Sequence, residues 1–185
     1  MAIRIIGGDK KGFFVKGPKG VKTRPILARV RKSLFDILRP CITGSNFLDL
    51  YSGSGSVGIE AVSRGSEHVV FVEKDKKVCV CLKGNIEHCR VGDVSTLVCG
   101  DVFRFINTAQ EKFDIIFAGP PYSVLLADKT LHELSDSSIL KENTIVIIQH
   151  SIKEKIDETT HCLKMYRQER YGETTLSFFS MRRII

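Results

Sequence analysis

The stretch from Leu48 to Ala61 reads Leu-Asp-Leu-Tyr-Ser-Gly-Ser-Gly-Ser-Val-Gly-Ile-Glu-Ala, and it constrains the fold more than any other part of the chain. The apolar run ending at Asp49-Leu50-Tyr51 reads as a buried strand, Gly53 and Gly55 as a tight turn, and Val57 onward as a helix. Strand, glycine turn and helix together make a nucleotide cradle. Glycine tolerates positive φ and lets a ligand approach the backbone. The helix that follows turns its free N–H groups toward whatever lies over the loop.

Two ligand classes fit such a cradle. Gly53-x-Gly55-x-x-Gly58 matches the dinucleotide fingerprint, and Glu73, 20 residues after Gly53, stands where a ribose-binding carboxylate would sit. Asp49 separates the two. A carboxylate there repels a pyrophosphate but suits a ligand that carries an ammonium and a sulfonium. The stretch therefore resembles motif I of S-adenosylmethionine (SAM) methyltransferases more closely than a nicotinamide dinucleotide site.

The rest of the chain supplies the sheet this cradle needs. Residues 69–73, 96–99, 114–118 and 144–149 are further apolar strand candidates, separated by helical stretches over 76–88, 102–109 and 127–134. Repeated strand-helix units imply a parallel sheet covered on both faces, with ligands at the carboxyl ends of the strands. Asp49, Glu73 and Asp101 all fall at such ends, as does Gly119-Pro120-Pro121-Tyr122. Glu73, with Lys74 beside it, is expected at a ribose. Asp101, with Val102, is expected either at an adenine amino group or as a helix cap. Residues 163–171 and 174–181 read as a closing antiparallel pair.

Before the cradle, residues 2–22 read as a β-hairpin, and Thr23-Arg24-Pro25 as the start of a helix reaching Leu38. Val30, Leu34, Ile37 and Leu38 would form its buried stripe, with Arg29, Arg31 and Lys32 on the other face. Residues 1–40 carry 11 Lys and Arg against two Asp, whereas the remainder carries 17 against 19. A local basic block beside a nearly neutral body suits a polyanion. Lys10, Lys11, Lys16, Lys19, Lys22 and Arg24 are the phosphate-contact candidates, together with Arg29, Arg31 and Lys32. The division expected is a basic extension over residues 1–40 and a catalytic core over 41–185, forming one compact domain.

Composition excludes other classes. No apolar run approaches the roughly 20 residues of a bilayer span, and Met1 to Gly8 does not read as a signal peptide. A cytoplasmic, membrane-free protein is expected. The six cysteines show no C-x-x-C spacing, so they are expected to be buried and reduced, with no structural metal.

Gly119-Pro120-Pro121-Tyr122 resembles motif IV of amino-methyltransferases, in which Asp or Asn precedes Pro-Pro-Tyr or Pro-Pro-Phe. Arg4 to Gly8, Thr23-Arg24-Pro25, Val30-Arg31, Leu34-Phe35, the Asp49 stretch and Tyr171-Gly172-Glu173-Thr174 then extend the likeness along nearly the whole chain. Together they resemble the small-subunit ribosomal RNA methyltransferase D family. The resemblance implies a Rossmann-like class I methyltransferase sheet, mostly parallel with a C-terminal antiparallel pair, preceded by a hairpin and helix.

It also implies methyl transfer from SAM, yielding S-adenosylhomocysteine, to the exocyclic N2 of a guanine in 16S rRNA or the small subunit. No obligate protein partner is implied, and a monomer is expected. Asp49, Tyr51, Ser52, Gly53, Gly55, Glu73, Lys74, Asp101 and Val102 would hold the cofactor, and Tyr122 would stack the target base. Gly119 departs from the pattern, because it removes the side-chain oxygen that would accept from the target amine. Adenine N6 as target, or a SAM- and RNA-binding protein of impaired catalysis, are the alternatives.

Overall fold

The computed structural model describes residues 2–18, 26–122 and 126–181. The chain opens with an antiparallel pair, β1 (Ala2–Arg4) and β2 (Phe14–Lys16), followed by helix α1 (Ala28–Leu38). The repeating part follows as β3 (Asn46–Leu50), α2 (Ser56–Ser63), β4 (His68–Glu73), α3 (Lys76–His88) and β5 (Ser95–Cys99). It continues as α4 (Val102–Thr108), β6 (Phe113–Ala118), α5 (Leu126–Ser135) and β7 (Leu140–Ser151), then closes with β8 (Lys164–Tyr171) and β9 (Thr174–Ser180).

One seven-stranded sheet has the order β5-β4-β3-β6-β7-β9-β8, parallel except that β9 runs antiparallel to both β7 and β8. The order reverses at β3, which has β4 on one side and β6 on the other. A crevice opens at the carboxyl ends there.

Period-two alternation splits the core cleanly. Phe47, Phe71, Ile115, Phe117 and Ile147 face α1, α2 and α3, packing with residues such as Val30, Ile59 and Leu82. Their neighbours Leu48, Leu50, Val70, Ile116 and Ile148 face the other way, against Ile106, Ala127 and Leu131 of α4 and α5. Each fully buried aliphatic or aromatic side chain contributes roughly 1.5–3 kcal/mol. Among the described residues, no helix is long and apolar enough to cross a membrane.

Helix α1 departs from expectation. It starts at Ala28 with Leu27 as its N-cap, while Thr23-Arg24-Pro25 lies outside the described residues. Its buried stripe is Val30, Arg31, Leu34, Phe35 and Leu38, with Ile37 partly buried against the same core. Arg31 is wholly buried. Its Nε lies 3.5 Å from Glu60 Oε2 on α2, and its Nη2 donates to the Arg4 carbonyl. Burial lowers its pKa and Glu60 opposes that shift. Arg31 therefore cannot serve as a phosphate contact. It is a strut that ties the hairpin to the core.

Glu60 organises this junction, accepting from the Ile6 N–H at 2.9 Å and from Arg64 Nε at 2.9 Å. The Arg4 to Gly8 signature thereby gains a structural reason. At Gly8, with φ +71°, an added Cβ would lie 1.5 Å from the Ser63 carbonyl oxygen. Asn85 of α3 fastens the other end of the hairpin, donating to the carbonyls of Lys16 and Ser54 and accepting from the Lys16 N–H.

Candidate active site

The carboxyl ends of β3, β4, β6 and β7 and the loop after β5 surround a cavity of about 560 Å3. On the side of β3, β4 and β5 it is walled by carboxylates. Asp49 is 1% exposed and its Oδ2 accepts from the Gly58 N–H of α2 at 2.9 Å. Burial pushes its carboxyl well above the usual carboxylate range. The Gly58 bond only partly offsets that, Glu73 adds to the rise, and no cation among the described residues offsets it. Such a group favours a cationic ligand that restores its charged form.

Glu73 is held by two backbone donors, Gly53 N–H at 3.0 Å and Asp75 N–H at 2.9 Å, one to each oxygen. Asp101 is a helix cap whose second oxygen stands at the cavity. Its Oδ1 caps α4 by accepting from Phe103 and Arg104 N–H, and its Oδ2 lies 3.2 Å from Lys74 Nζ. These partners, the Arg104 N–H foremost, lower its pKa. Val102 lines the same wall.

The cradle loop itself divides by role. Tyr51 takes φ +60°, uncommon for a non-glycine residue, and its buried hydroxyl meets Thr130 Oγ1 at 2.9 Å. Burial raises that phenol to about 12. Gly53 has φ +54°, and an added Cβ would find nothing nearer than the Tyr51 carbonyl at 4.0 Å, so open space lies over it. Gly55, expected to clear room for a ligand, does not line the cavity. Its φ is +77° and an added Cβ would strike Leu82 at 2.2 Å, so backbone conformation and packing both require glycine there. Ser52 lines the cavity, but its hydroxyl is spent on the carbonyls of Asp49 and Val72, closing the ends of β3 and β4.

The opposite side is built from β6 and β7. Gly119, Pro120, Pro121 and Tyr122 follow β6 directly and line the cavity. Tyr122 is half-buried, its hydroxyl 3.0 Å from Thr174 Oγ1 in β9. A Cβ at Gly119 would lie 3.2 Å from the Phe117 ring, so a larger residue there requires that ring to give slightly. Asp114 cannot supply the missing oxygen. It sits at the amino end of β6, bound to Lys141 Nζ at 2.8 Å and to the Asn46 N–H. Gln149, which ends β7's apolar run, also lines the cavity. A neutral Gln at the end of an apolar run carries no motif of its own, and its strand-end position is the one signal in the sequence that points to it.

The basic candidates separate along the hairpin. Lys10 is tied through its N–H to Ser63 Oγ at the far end of α2, whereas Ser56 at the start of that helix lines the cavity. At about 1.5 Å per residue, Lys10 and Lys11 lie roughly a helix length from the cavity. Lys16 is exposed, two residues before Pro18 on the cavity wall. Arg29 is exposed near Gly172, in the turn of the β8–β9 pair, at the cavity's end of the sheet. Lys32 is exposed and paired with Asp36. Lys19, Lys22 and Arg24 lie outside the described residues.

All six cysteines are free; Cys79 and Cys89 are buried as expected, but Cys41 and Cys99 are exposed. Among the described residues one group has the spacing of metal ligands, Asp128, His132 and Asp157 on the surface, and it contains no cysteine. Their mutual hydrogen bonds join α5 to the segment after β7.

Strand order, the reversed β9 and the carboxylates at successive strand ends define a Rossmann-like class I methyltransferase fold. The chain belongs to the family described as conserved hypothetical protein 95, matching it over residues 3–180. YlbH of Bacillus subtilis is 33% identical over 97% of this chain and 100% of its own length. The ribosomal RNA small subunit methyltransferase D of Buchnera aphidicola subsp. Acyrthosiphon pisum is 32% identical, covering 83% of this chain and 81% of that one. Among solved structures, yhhF of Escherichia coli aligns with a TM-score of 0.85 at 26% identity, covering 97% of both chains. The likeness read from the motifs thus holds along nearly the whole chain.

Proposed function

We propose that this protein transfers a methyl group from SAM to the exocyclic N2 of a guanine in 16S rRNA. The observation that carries the reading is one cavity with two unlike walls. One wall presents Asp49, Glu73 and Asp101 at consecutive strand ends, and the other presents Gly119 to Tyr122 directly after β6. Relatives named as small-subunit ribosomal RNA methyltransferases support RNA as the substrate class.

The residues present fit SAM. Asp49 is a buried carboxylate in want of a cation, the space over Gly53 is open, and Glu73 presents two oxygens suited to a vicinal diol. SAM, when bound, supplies an electrophilic methyl group. The chain's own residues position the reactants. Asp49 orients the amino-acid part, Glu73 and Lys74 the ribose end, and Asp101 with Val102 the base. Tyr122 offers a flat face to a guanine turned out of its stack. Proximity and alignment supply most of the acceleration in a direct transfer, with no covalent enzyme intermediate. Arg29 and Lys16 at the cavity's edge, with Lys10, Lys11, Lys32, Lys19, Lys22 and Arg24, hold the RNA backbone.

The test is incubation of the protein with methyl-labelled SAM and either small ribosomal subunits or deproteinised rRNA, followed by nucleoside mass analysis. Labelled N2-methylguanosine is expected. Labelled N6-methyladenosine would move the target to adenine, and SAM binding without any labelled nucleoside would refute the transferase reading.

A further inference from the structure

We infer that Gln149 supplies the hydrogen-bond acceptor for the target amine that the residue at position 119 lacks, an inference that rests on the transferase reading above. β6 and β7 run parallel in the register Phe117↔Ile147 and Ala118↔Ile148, so the next step sets Gly119 opposite Gln149. Residues paired across parallel strands send side chains to the same face. Phe117 and Ile147 share one core face, the one that includes α2. Asp49, two residues after Phe47 in β3, meets α2 on that face. Gln149 therefore projects from the same face of the sheet as an Asp or Asn at 119 would, none of its atoms lying within 4 Å of a Cβ placed at 119, and the Phe117 ring fills the flank of the glycine itself.

Gln149 is 7% exposed and lines the cavity. Its Nε2 lies 3.4 Å from the Tyr122 hydroxyl, which Thr174 holds at 3.0 Å. Its Oε1 is buried and accepts no hydrogen bond from the described residues. A buried amide oxygen without a donor destabilises the fold. Fold stability alone would favour an apolar residue here, as at Ile145, Ile147 and Ile148 before it. A donor brought by a ligand relieves the cost, and the soft terminal amide torsion lets the oxygen turn to meet it.

In the transfer, one N–H of the exocyclic amine donates to Gln149 Oε1, which turns the nitrogen lone pair toward the methyl carbon. That lone pair forms the new N–C bond. The bond from carbon to the sulfonium breaks, with its electron pair left on sulfur, and one amine proton passes to water. Gln149 neither gains nor loses a proton. It orients the nucleophile and stabilises the positive charge that grows on it.

The experiment measures single-turnover transfer from saturating labelled SAM to small subunits or rRNA, with SAM affinity and melting midpoint taken on the same samples. Gln149→Met keeps the volume and removes the acceptor. It is expected to slow transfer about 10²-fold, the effect of losing one preorganised partner, without lowering the melting midpoint and with SAM affinity within about twofold, since the cofactor contacts are intact. Adding Gly119→Asp to Gln149→Met returns most of the rate, and Gln149→Glu, which keeps an oxygen acceptor, loses much less than Gln149→Met.

Undiminished transfer by Gln149→Met overturns the assignment of Gln149 and leaves the transferase reading standing. A Gln149→Glu rate as low as that of Gln149→Met overturns it as well, even if the Met variant folds poorly. Bound SAM with no transfer by the wild-type protein contradicts the transferase reading itself.

Discussion

The two walls of the cavity differ in how complete they are. On the side of β3, β4 and β5 the carboxylates already hold backbone donors: Asp49 takes Gly58, Glu73 takes Gly53 and Asp75, and Asp101 takes Phe103 and Arg104. On the side of β6 and β7, Gly119 has no side chain and Gln149 Oε1 has no donor among the described residues. The first wall is preorganised by its own fold, so a small cofactor meets oxygens already in place. The second is completed by what it binds. A macromolecular substrate that brings its own donor can relieve an unmet acceptor, and the fold bears that cost until the substrate arrives.

Substitutions separate the two walls. The largest effect should come from the junction that ties the hairpin and α1 to α2. Glu60→Gln strips Arg31 of its charged partner, and leaving a buried charge uncompensated costs about 3–5 kcal/mol. Chemical denaturation should show that loss. A loss below about 1 kcal/mol would mean that the hairpin does not depend on this junction.

Next in size, Asp49→Ala should weaken SAM binding about 10²-fold by calorimetry, because truncating one partner of a buried charged hydrogen bond costs roughly 2–5 kcal/mol. Glu73→Gln, at a position closer to solvent, should cost about tenfold, in line with one charge-assisted hydrogen bond. Equal losses at the two positions would erase the gradient from buried to exposed that this wall displays.

The smallest expected effects concern pH, and the two sides carry opposite signs. Asp49's pKa is raised by burial, so its contribution to the ligand-free fold is present at acid pH and lost as pH rises through the raised value. Asp49→Asn should therefore raise the melting midpoint at pH 8 more than at pH 5. His150, on β7 beside Gln149, is buried against Ser177 Oγ at 2.9 Å, and burial lowers its pKa. Its contribution is present above the ordinary imidazole value and lost as pH falls through that value toward the depressed one. The acid limb of a melting-versus-pH profile should be shallower in His150→Gln than in the wild type.

Much of this was legible in the sequence, and the gaps have physical causes. Asp49, Glu73, Asp101 and Gly119 to Tyr122 were readable because alternating apolar runs mark strands, and parallel strands collect ligands at one end. Arg31 was misread because a helical stripe is judged by apolar residues. A cation paired with a carboxylate in another helix satisfies the same geometry without the same composition. Gly55 was read as ligand clearance because its positive φ was foreseeable, whereas its contact with Leu82 belongs to α3 packing. The early start of β7 at Leu140 rests on pairing with Phe113 before a register shift, a tertiary contact with no local signature.

The division between the walls meets its most direct test in Tyr122→Ala, assayed for SAM affinity by calorimetry and for single-turnover methyl transfer to rRNA on the same preparation. A SAM affinity within a few-fold of wild type, with transfer slowed by at least about 10²-fold, is the expected result for a residue on the wall of the base and not of the cofactor. A comparable loss of SAM affinity, or transfer at the wild-type rate, would contradict a cavity divided between cofactor and target base.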